Sequence, residues 1–181
     1  MRAFNRRVTA IGACALALSI PFTTAQSAPP AAAAPQCRVV APPPAELRAW
    51  TAPRAMQAAA SVDHSARTSL PIGQAARLAL TPTPQVAFPL APKKPGDAES
   101  FGGLVGIDVA EAGTYRVALG TAAWIDLTRS DQAEPSIAHS HGPPCTGIRK
   151  MVDFALTPGR YTLQIAANQQ SETTILIVRL R

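Results

Sequence analysis

The sequence is poor in charged residues, and it has no long apolar run beyond its N-terminus. Charged side chains make up 15% of the 181 residues. Outside the first ten residues, the basic doublets are Lys93-Lys94 and Arg149-Lys150. Such a sparse pattern argues against a nucleic-acid-binding protein, which gathers positive charge on one surface. No apolar stretch after residue 25 is long enough to cross a bilayer as a helix.

Motifs typical of hydrolytic enzymes are also missing. No serine lies in the Gly-x-Ser-x-Gly elbow of an α/β-hydrolase. Glycoside hydrolysis needs two carboxylates in one cleft. Asp108, Asp126 and Asp153 lie in or beside predicted strands, mostly opposite the apolar positions, so we expect them in solvent. These absences favour a protein that is not an enzyme.

The first 25 residues have the pattern of a secretory signal peptide. Three arginines precede the apolar run Val8–Phe22, and the small residues Thr23–Ala25 follow it. We therefore predict a signal peptide over residues 1–25 and a periplasmic or secreted protein. Cleavage would leave 156 residues, enough for one domain and a tail. The 17 basic residues would become 14 against 11 acidic ones, a net charge of +3.

Two of the three cysteines, Cys37 and Cys145, follow the predicted signal peptide. An even number of cysteines in an oxidising compartment favours a disulfide. This disulfide would close a loop of about 108 residues, worth roughly 4–5 kcal/mol, and would attach the N-terminal arm to the domain. Two free thiols are the alternative. Cys14 follows a loose lipobox, but the apolar run continues past it to Phe22.

Residues 26–67 form a Pro- and Ala-rich arm. Its first half is too poor in large apolar residues to bury a core, so we expect it to be extended or disordered. Pro53 is suited to the first position of a short helix ending at Ala58–Ala60.

From residue 68 to residue 181, short alternating segments separated by Gly and Pro predict an all-β domain. The spacing is typical of an antiparallel, jelly-roll-like β-sandwich of seven or eight strands. Arg129–Ile148 is predicted to be a long loop. The predicted strands are Gln74–Leu80, Gln85–Leu90, Leu104–Ala110, Thr114–Leu119, Ala123–Thr128, Lys150–Leu156, Arg160–Ala166 and Thr173–Leu180.

A strand, a Gly turn and a Tyr-led strand occur twice in this domain. Ala112–Tyr115 is the first turn and Pro158–Tyr161 is the second. Glycine tolerates the backbone angles of tight turns. We expect each Tyr ring to pack in the core while its hydroxyl reaches a backbone group.

The predicted long loop contains two of the three histidines, His139 and His141. In an extended segment both side chains point to the same side. With the Cys145 thiolate, and with His64 or Met151, they would suit copper or zinc. A disulfide at Cys145 would remove the thiolate. The alternatives are polar loop residues without a ligand, or a contact with a partner.

Trp124 is the aromatic residue that we single out as a ligand-binding candidate. It shares a predicted strand with Ile125, and the two side chains point to opposite faces. One of them is therefore expected to be less buried. An exposed indole would offer a platform for a sugar ring, and core packing is the alternative.

The two Gly-Tyr turns resemble those of bacterial pre-peptidase C-terminal domains and jelly-roll carbohydrate-binding modules. The segments Gly113–Leu119, Ala123–Asp126, His139–Gly142 with Cys145, and Arg149–Phe154 together resemble a group of small exported β-sandwich proteins of proteobacteria. Some of that group carry the label homogentisate 1,2-dioxygenase. Those dioxygenases are longer cupin proteins that bind iron through two His and a Glu, and this chain lacks that spacing.

We therefore expect an exported, non-enzymatic binding or interaction module whose partner is a small molecule, a glycan or an envelope protein. Copper or zinc binding through the His139/His141 loop is one alternative function. A dioxygenase-type enzyme, as the resemblance implies, is the other, and no motif supports it.

Overall fold

Short segments of alternating apolar and polar residues form eleven strands in the part of the chain that the structure, a computed structural model, describes: residues 37–65, 67–130 and 132–180. The predicted signal peptide, residues 1–25, and the start of the arm lie outside these residues. The strands are β1 (Arg54–Gln57), β2 (Ala75–Ala79), β3 (Thr81–Pro82), β4 (Phe101–Val109), β5 (Gly113–Leu119), β6 (Trp124–Arg129), β7 (Gln132–Glu134), β8 (Ser136–Ser140), β9 (Lys150–Leu156), β10 (Gly159–Asn168) and β11 (Glu172–Arg179).

The strands form the two sheets of a β-sandwich, so the predicted all-β fold class is confirmed. The first sheet has the order β1-β2-β11-β5-β9-β8, and the second has the order β3-β4-β10-β6-β7. The neighbouring strands are antiparallel, except that β1 and β2 are parallel. The structure has more strands than the seven or eight predicted, because the short strands at the sheet edges have no clear alternation of apolar residues.

The predicted helix in the arm and the predicted long loop were both wrong. The segment after Pro53, predicted to be a helix, is strand β1, because it pairs in parallel with β2 and the Ala58 N–H that follows it donates to the Ala79 carbonyl. The arm instead contains the 3₁₀ helix Ala45–Thr51, here called the arm helix, and the one-turn α1 (Val62–Ser65). The predicted loop Arg129–Ile148 contains β7 and β8.

The segment Gln85–Leu90, predicted to be a strand, has no strand pairing. A 3₁₀ helix, Thr83–Gln85, precedes it. Leu90, the last residue of the predicted strand, bonds to a side chain instead of a neighbouring strand. The Leu90 N–H donates to Gln164 Oε1 over 3.0 Å, and Gln164 Nε2 donates to the Leu90 carbonyl. The prolines around this segment have no N–H to offer to a ladder, which explains the irregular path.

Both predicted tyrosine turns are confirmed. Tyr115 and Tyr161 are almost fully buried between the sheets. The Tyr115 hydroxyl donates to the Glu111 carbonyl over 2.7 Å, and the Tyr161 hydroxyl donates to the Thr157 carbonyl over 2.8 Å. Each ring fills the core while its hydroxyl holds the preceding turn, so the repeat has a structural role.

A second apolar cluster covers the outer face of the first sheet. Leu47 and Trp50 of the arm helix are buried against residues of β5, β9 and β11, among them Met151 and Leu176. This layer explains why β11 is buried on both faces, as its continuous apolar sequence predicts. We call the outer face of the first sheet, which the arm helix covers, the arm-covered face.

The predicted disulfide joins the arm to this face. The Cys37 and Cys145 sulfurs are 2.12 Å apart, and the Cα atoms are 5.3 Å apart. The Ala41 N–H also donates to the Cys145 carbonyl over 2.8 Å. The arm is therefore held by a covalent bond, a backbone hydrogen bond and apolar packing. Among the described residues, no helix combines the length and the hydropathy that crossing a membrane requires.

Candidate ligand-binding cleft

A cleft of about 560 Å³ opens where the two sheets end on consecutive strands. β7 is the edge of the second sheet and β8 is the edge of the first, and Pro135 alone connects them. Because the last strands are short, the sheets do not close over each other at this edge. Ile125, Val152 and Phe154 of the hydrophobic core form an apolar floor.

Polar side chains surround this apolar floor. β8 pairs with β9 so that His139 lies opposite Val152, and directly opposed residues share a face of the sheet. In the second sheet Glu134 lies opposite Leu127, a core residue. Both side chains are therefore directed to the space between the sheets. The polar and aromatic lining residues are Lys93, Trp124, Asp126, Glu134, Ser136, His139 and Lys150.

Trp124 is half-buried in the wall of the cleft. Its indole N–H donates to Asp126 Oδ2 over 2.9 Å, and this bond fixes the orientation of the ring. The Nζ atoms of Lys94 and Lys150 each lie 5.2 Å from the ring centroid. Both distances fall within the range of cation–π attraction.

Lys150 reaches the cleft because it alternates with Val152 and Phe154 on the inner side of β9. Its ammonium donates to the Ala123 carbonyl over 2.9 Å. Burial lowers the pKa of Lys150 and the charge of Lys94 lowers it further, while Asp126 acts in the opposite direction.

Among the described residues, the ion pairs shorter than 4.0 Å are Arg116–Asp153, Arg160–Asp108 and Arg179–Glu111, and none includes a lysine.

The lysine content of the chain supports the importance of this cleft, and the sequence argument missed it. The protein has 17 basic residues, of which only three are lysines: Lys93, Lys94 and Lys150. All three lie at the cleft or against its tryptophan. Composition shows that lysine is rare, but it does not show that Lys150 lies beside the Lys93-Lys94 doublet.

The structure brings together two candidates that the sequence treated separately. Trp124 and His139 line the same cleft. His141 lies just beyond β8, with its Nδ1 3.4 Å from the Arg149 carbonyl oxygen. Both histidines are exposed.

The other residues considered as metal ligands do not join the histidines. Cys145 is in the disulfide, Met151 is buried on the arm-covered face, and His64 contacts Ser61. Across residues 37–65, 67–130 and 132–180, no group of three or more His, Cys, Asp or Glu is placed to hold a metal ion.

One acidic residue departs from the expectation of solvent exposure. Asp153 is buried, and it accepts two hydrogen bonds from Arg116, each 2.8 Å long. The two residues are direct partners across β5 and β9, so the pair forms on the arm-covered face. The hydrogen bond to Asp153 is the main cause that raises the pKa of Arg116. Alternation predicted the face correctly, but it could not predict the cover.

Comparisons with known proteins add no assignment. No protein-family model matches the chain, and no curated protein matches it. The case for a function therefore depends on a β-sandwich whose open edge holds an indole, two amines and two carboxylates above an apolar floor.

Proposed function

We propose that this protein is an exported, non-enzymatic binding module that holds a small saccharide against Trp124 in the cleft between β7 and β8. The observation that carries the proposal is the half-buried indole in the wall of a cleft with an apolar floor and a polar rim. Pockets that bind small ligands combine an apolar surface with a few fixed polar groups.

The surface chemistry of a sugar matches this arrangement. A sugar ring has an apolar C–H face, which stacks on an indole, and hydroxyl groups along its edge. Asp126 and Glu134 are acceptors for those hydroxyls, and Ser136 and His139 are donors or acceptors. The bond from Trp124 to Asp126 orients the ring before the ligand arrives, which reduces the cost of ordering on binding.

The disulfide supports export. A bond between Cys37 and Cys145 persists in the periplasm or outside the cell, where thiols are not kept reduced. The N-terminal segment has the pattern of a signal peptide, in agreement with this environment.

Tryptophan fluorescence tests the proposal directly, because the chain has only Trp50 and Trp124. Trp50 of the arm helix is buried against the first sheet, so Trp50→Phe leaves Trp124 as the single indole reporter. We expect neutral or acidic oligosaccharides to change its fluorescence in a saturable way. Calorimetry on the otherwise unmodified protein should show that Trp124→Leu abolishes binding.

The Trp50→Phe variant is the matched control, since it removes the other indole and should retain binding. Absence of binding across a panel of neutral and acidic oligosaccharides would contradict the proposal. Binding that Trp124→Leu leaves unchanged would place the site elsewhere and would also contradict it.

A further inference from the structure

The three lysines of the chain all lie at the cleft or against its tryptophan, and none of them forms an ion pair among the described residues. Arg116 and Arg179 each form an ion pair with a carboxylate of the chain. The ammonium groups of Lys94 and Lys150 lie against one indole, and neither has a carboxylate within 4.0 Å among the described residues. The tryptophan of the cleft therefore has two amines beside it, and neither amine is neutralised by a carboxylate within 4.0 Å among the described residues.

The two lysines differ in how firmly they are held. Lys150 is half-buried and donates to the Ala123 carbonyl, so its position is fixed by β9 and by the start of β6. Lys94 lies on an exposed loop, and its ammonium group lies over the Trp124 ring. A fixed charge beside a movable one suits a ligand that enters over the ring and then attracts the movable amine.

Like charges close together in a partly buried site disfavour each other. Burial is the main cause that lowers the pKa of Lys150, and the charge of Lys94 lowers it further. An anion placed between the two ammonium groups would relieve the repulsion and would form charge-assisted hydrogen bonds with both. Asp126 partly offsets this effect at Lys150, but it forms no ion pair within 4.0 Å with either lysine among the described residues.

We propose that the ligand of the Trp124 cleft is an acidic saccharide, whose anionic substituent binds between the ammonium groups of Lys94 and Lys150 while its ring stacks on the indole. This inference rests on the proposed function and names its ligand class. The anion is a carboxylate or a sulfate ester, and the two share the chemistry that an ammonium pair recognises.

The test compares three ligands of equal length on the Trp50→Phe protein: oligogalacturonate, neutral oligogalactose and sulfated oligogalactose. We expect at least one acidic ligand to bind about tenfold more tightly than the neutral one. Its affinity should fall as salt is added, whereas the affinity for the neutral ligand should not. Comparison of the two acidic ligands identifies the preferred anion.

Three matched variants locate the selectivity. Lys150→Met keeps the length of the side chain and should remove most of the preference for the acidic ligand. Lys94→Met, at an exposed position, should reduce the preference for the acidic ligand about threefold. Arg54→Met removes one positive charge at an exposed position of β1, at the opposite edge of the first sheet from β8, and should change affinity by less than about twofold.

The outcomes separate this inference from the proposed function. Equal affinity for neutral and acidic ligands would overturn the inference and leave saccharide binding intact. An equal loss for Arg54→Met and Lys94→Met would also overturn it, since net charge alone would then explain the preference. Absence of binding for all three ligands would overturn both proposals.

Discussion

Strand β9 has one charged residue on each of its two faces, and the protein treats them differently. On the arm-covered face, Asp153 is buried and bonded twice to Arg116. On the inner face, Lys150 extends into the cleft, where its ammonium group donates to the Ala123 carbonyl and lies over the Trp124 ring. The first charge is neutralised inside the chain, and the second is not.

The comparison separates structural charge from charge that is available to a ligand. A buried ion pair with complete hydrogen bonding stabilises one arrangement of the strands, and removing one partner is costly. An ammonium group without a carboxylate partner adds little to folding, because burial disfavours its charged form. Substitutions on the arm-covered face should therefore change stability, whereas substitutions in the cleft should change binding.

The largest expected effect is the loss of the disulfide. Replacing Cys37 and Cys145 together by Ser should lower the free energy of unfolding by about 4–5 kcal/mol, because the unfolded chain regains the freedom of a long loop. Urea unfolding measures this loss, and reduction of the unmodified protein should reproduce it. Ligand affinity should stay the same, since the cleft lies at the other face of β9. A loss below about 1 kcal/mol would mean that the disulfide adds little to stability beyond the packing of the arm helix.

The Arg116–Asp153 pair should give the next effect. Asp153→Ala leaves a half-buried guanidinium without its partner and should cost about 2–3 kcal/mol, less than a fully buried pair because Arg116 is partly exposed to solvent. The double variant Arg116→Met with Asp153→Leu should recover most of that loss, as both charges are then gone. If the double variant loses as much stability as Arg116→Met and Asp153→Leu lose separately and in sum, the bond between the residues is not the cause.

Trp124→Leu should cost less than about 1 kcal/mol in stability, because the indole is half-buried and its side of the sheet stays open. Leu47→Ala is the comparison on the arm-covered face, where a fully buried side chain is truncated, and it should cost about 2–4 kcal/mol. Thermal and urea unfolding of both variants test the contrast. Similar losses would show that the cleft wall is as important for folding as the covered face.

The smallest effect concerns the titration of Lys150. Its pKa is lowered in the folded state, so the unfolded chain binds more protons between that pKa and the ordinary lysine value. The free energy of unfolding should therefore rise with pH across that interval, and Lys150→Met should remove the rise. Carbon-13 labelling of lysine gives three Cε signals, one for each lysine. The signal of Lys150 should titrate at a pH below the ordinary lysine pKa.

Binding of an acidic saccharide should move the Lys150 midpoint upward, since an anion favours the charged form. A midpoint at the ordinary lysine value in the free protein would contradict the burial of this amine. A midpoint that the acidic ligand does not move would argue against contact between the anion and Lys150.

The sequence by itself determined the elements whose signal is local. Alternating apolar residues predicted β5 and β9 almost to the residue, because one face of each strand packs in the core. The Gly-Tyr turns and the cysteine pair were also predictable, since each depends on a short motif or on a count. β7 and β8 were missed, because an edge strand exposed on both faces has no apolar alternation.

Only the tertiary structure decided which charges meet. Lys94 and Lys150 are far apart in the sequence, and an exposed loop and strand β9 of the first sheet bring them both to Trp124 of the second sheet. The same applies to Asp153: alternation placed it away from the core, and the arm then covered that face. Periodicity reports the direction of a side chain relative to its own strand. The neighbours of that side chain depend on contacts between distant segments, and these contacts created the cleft.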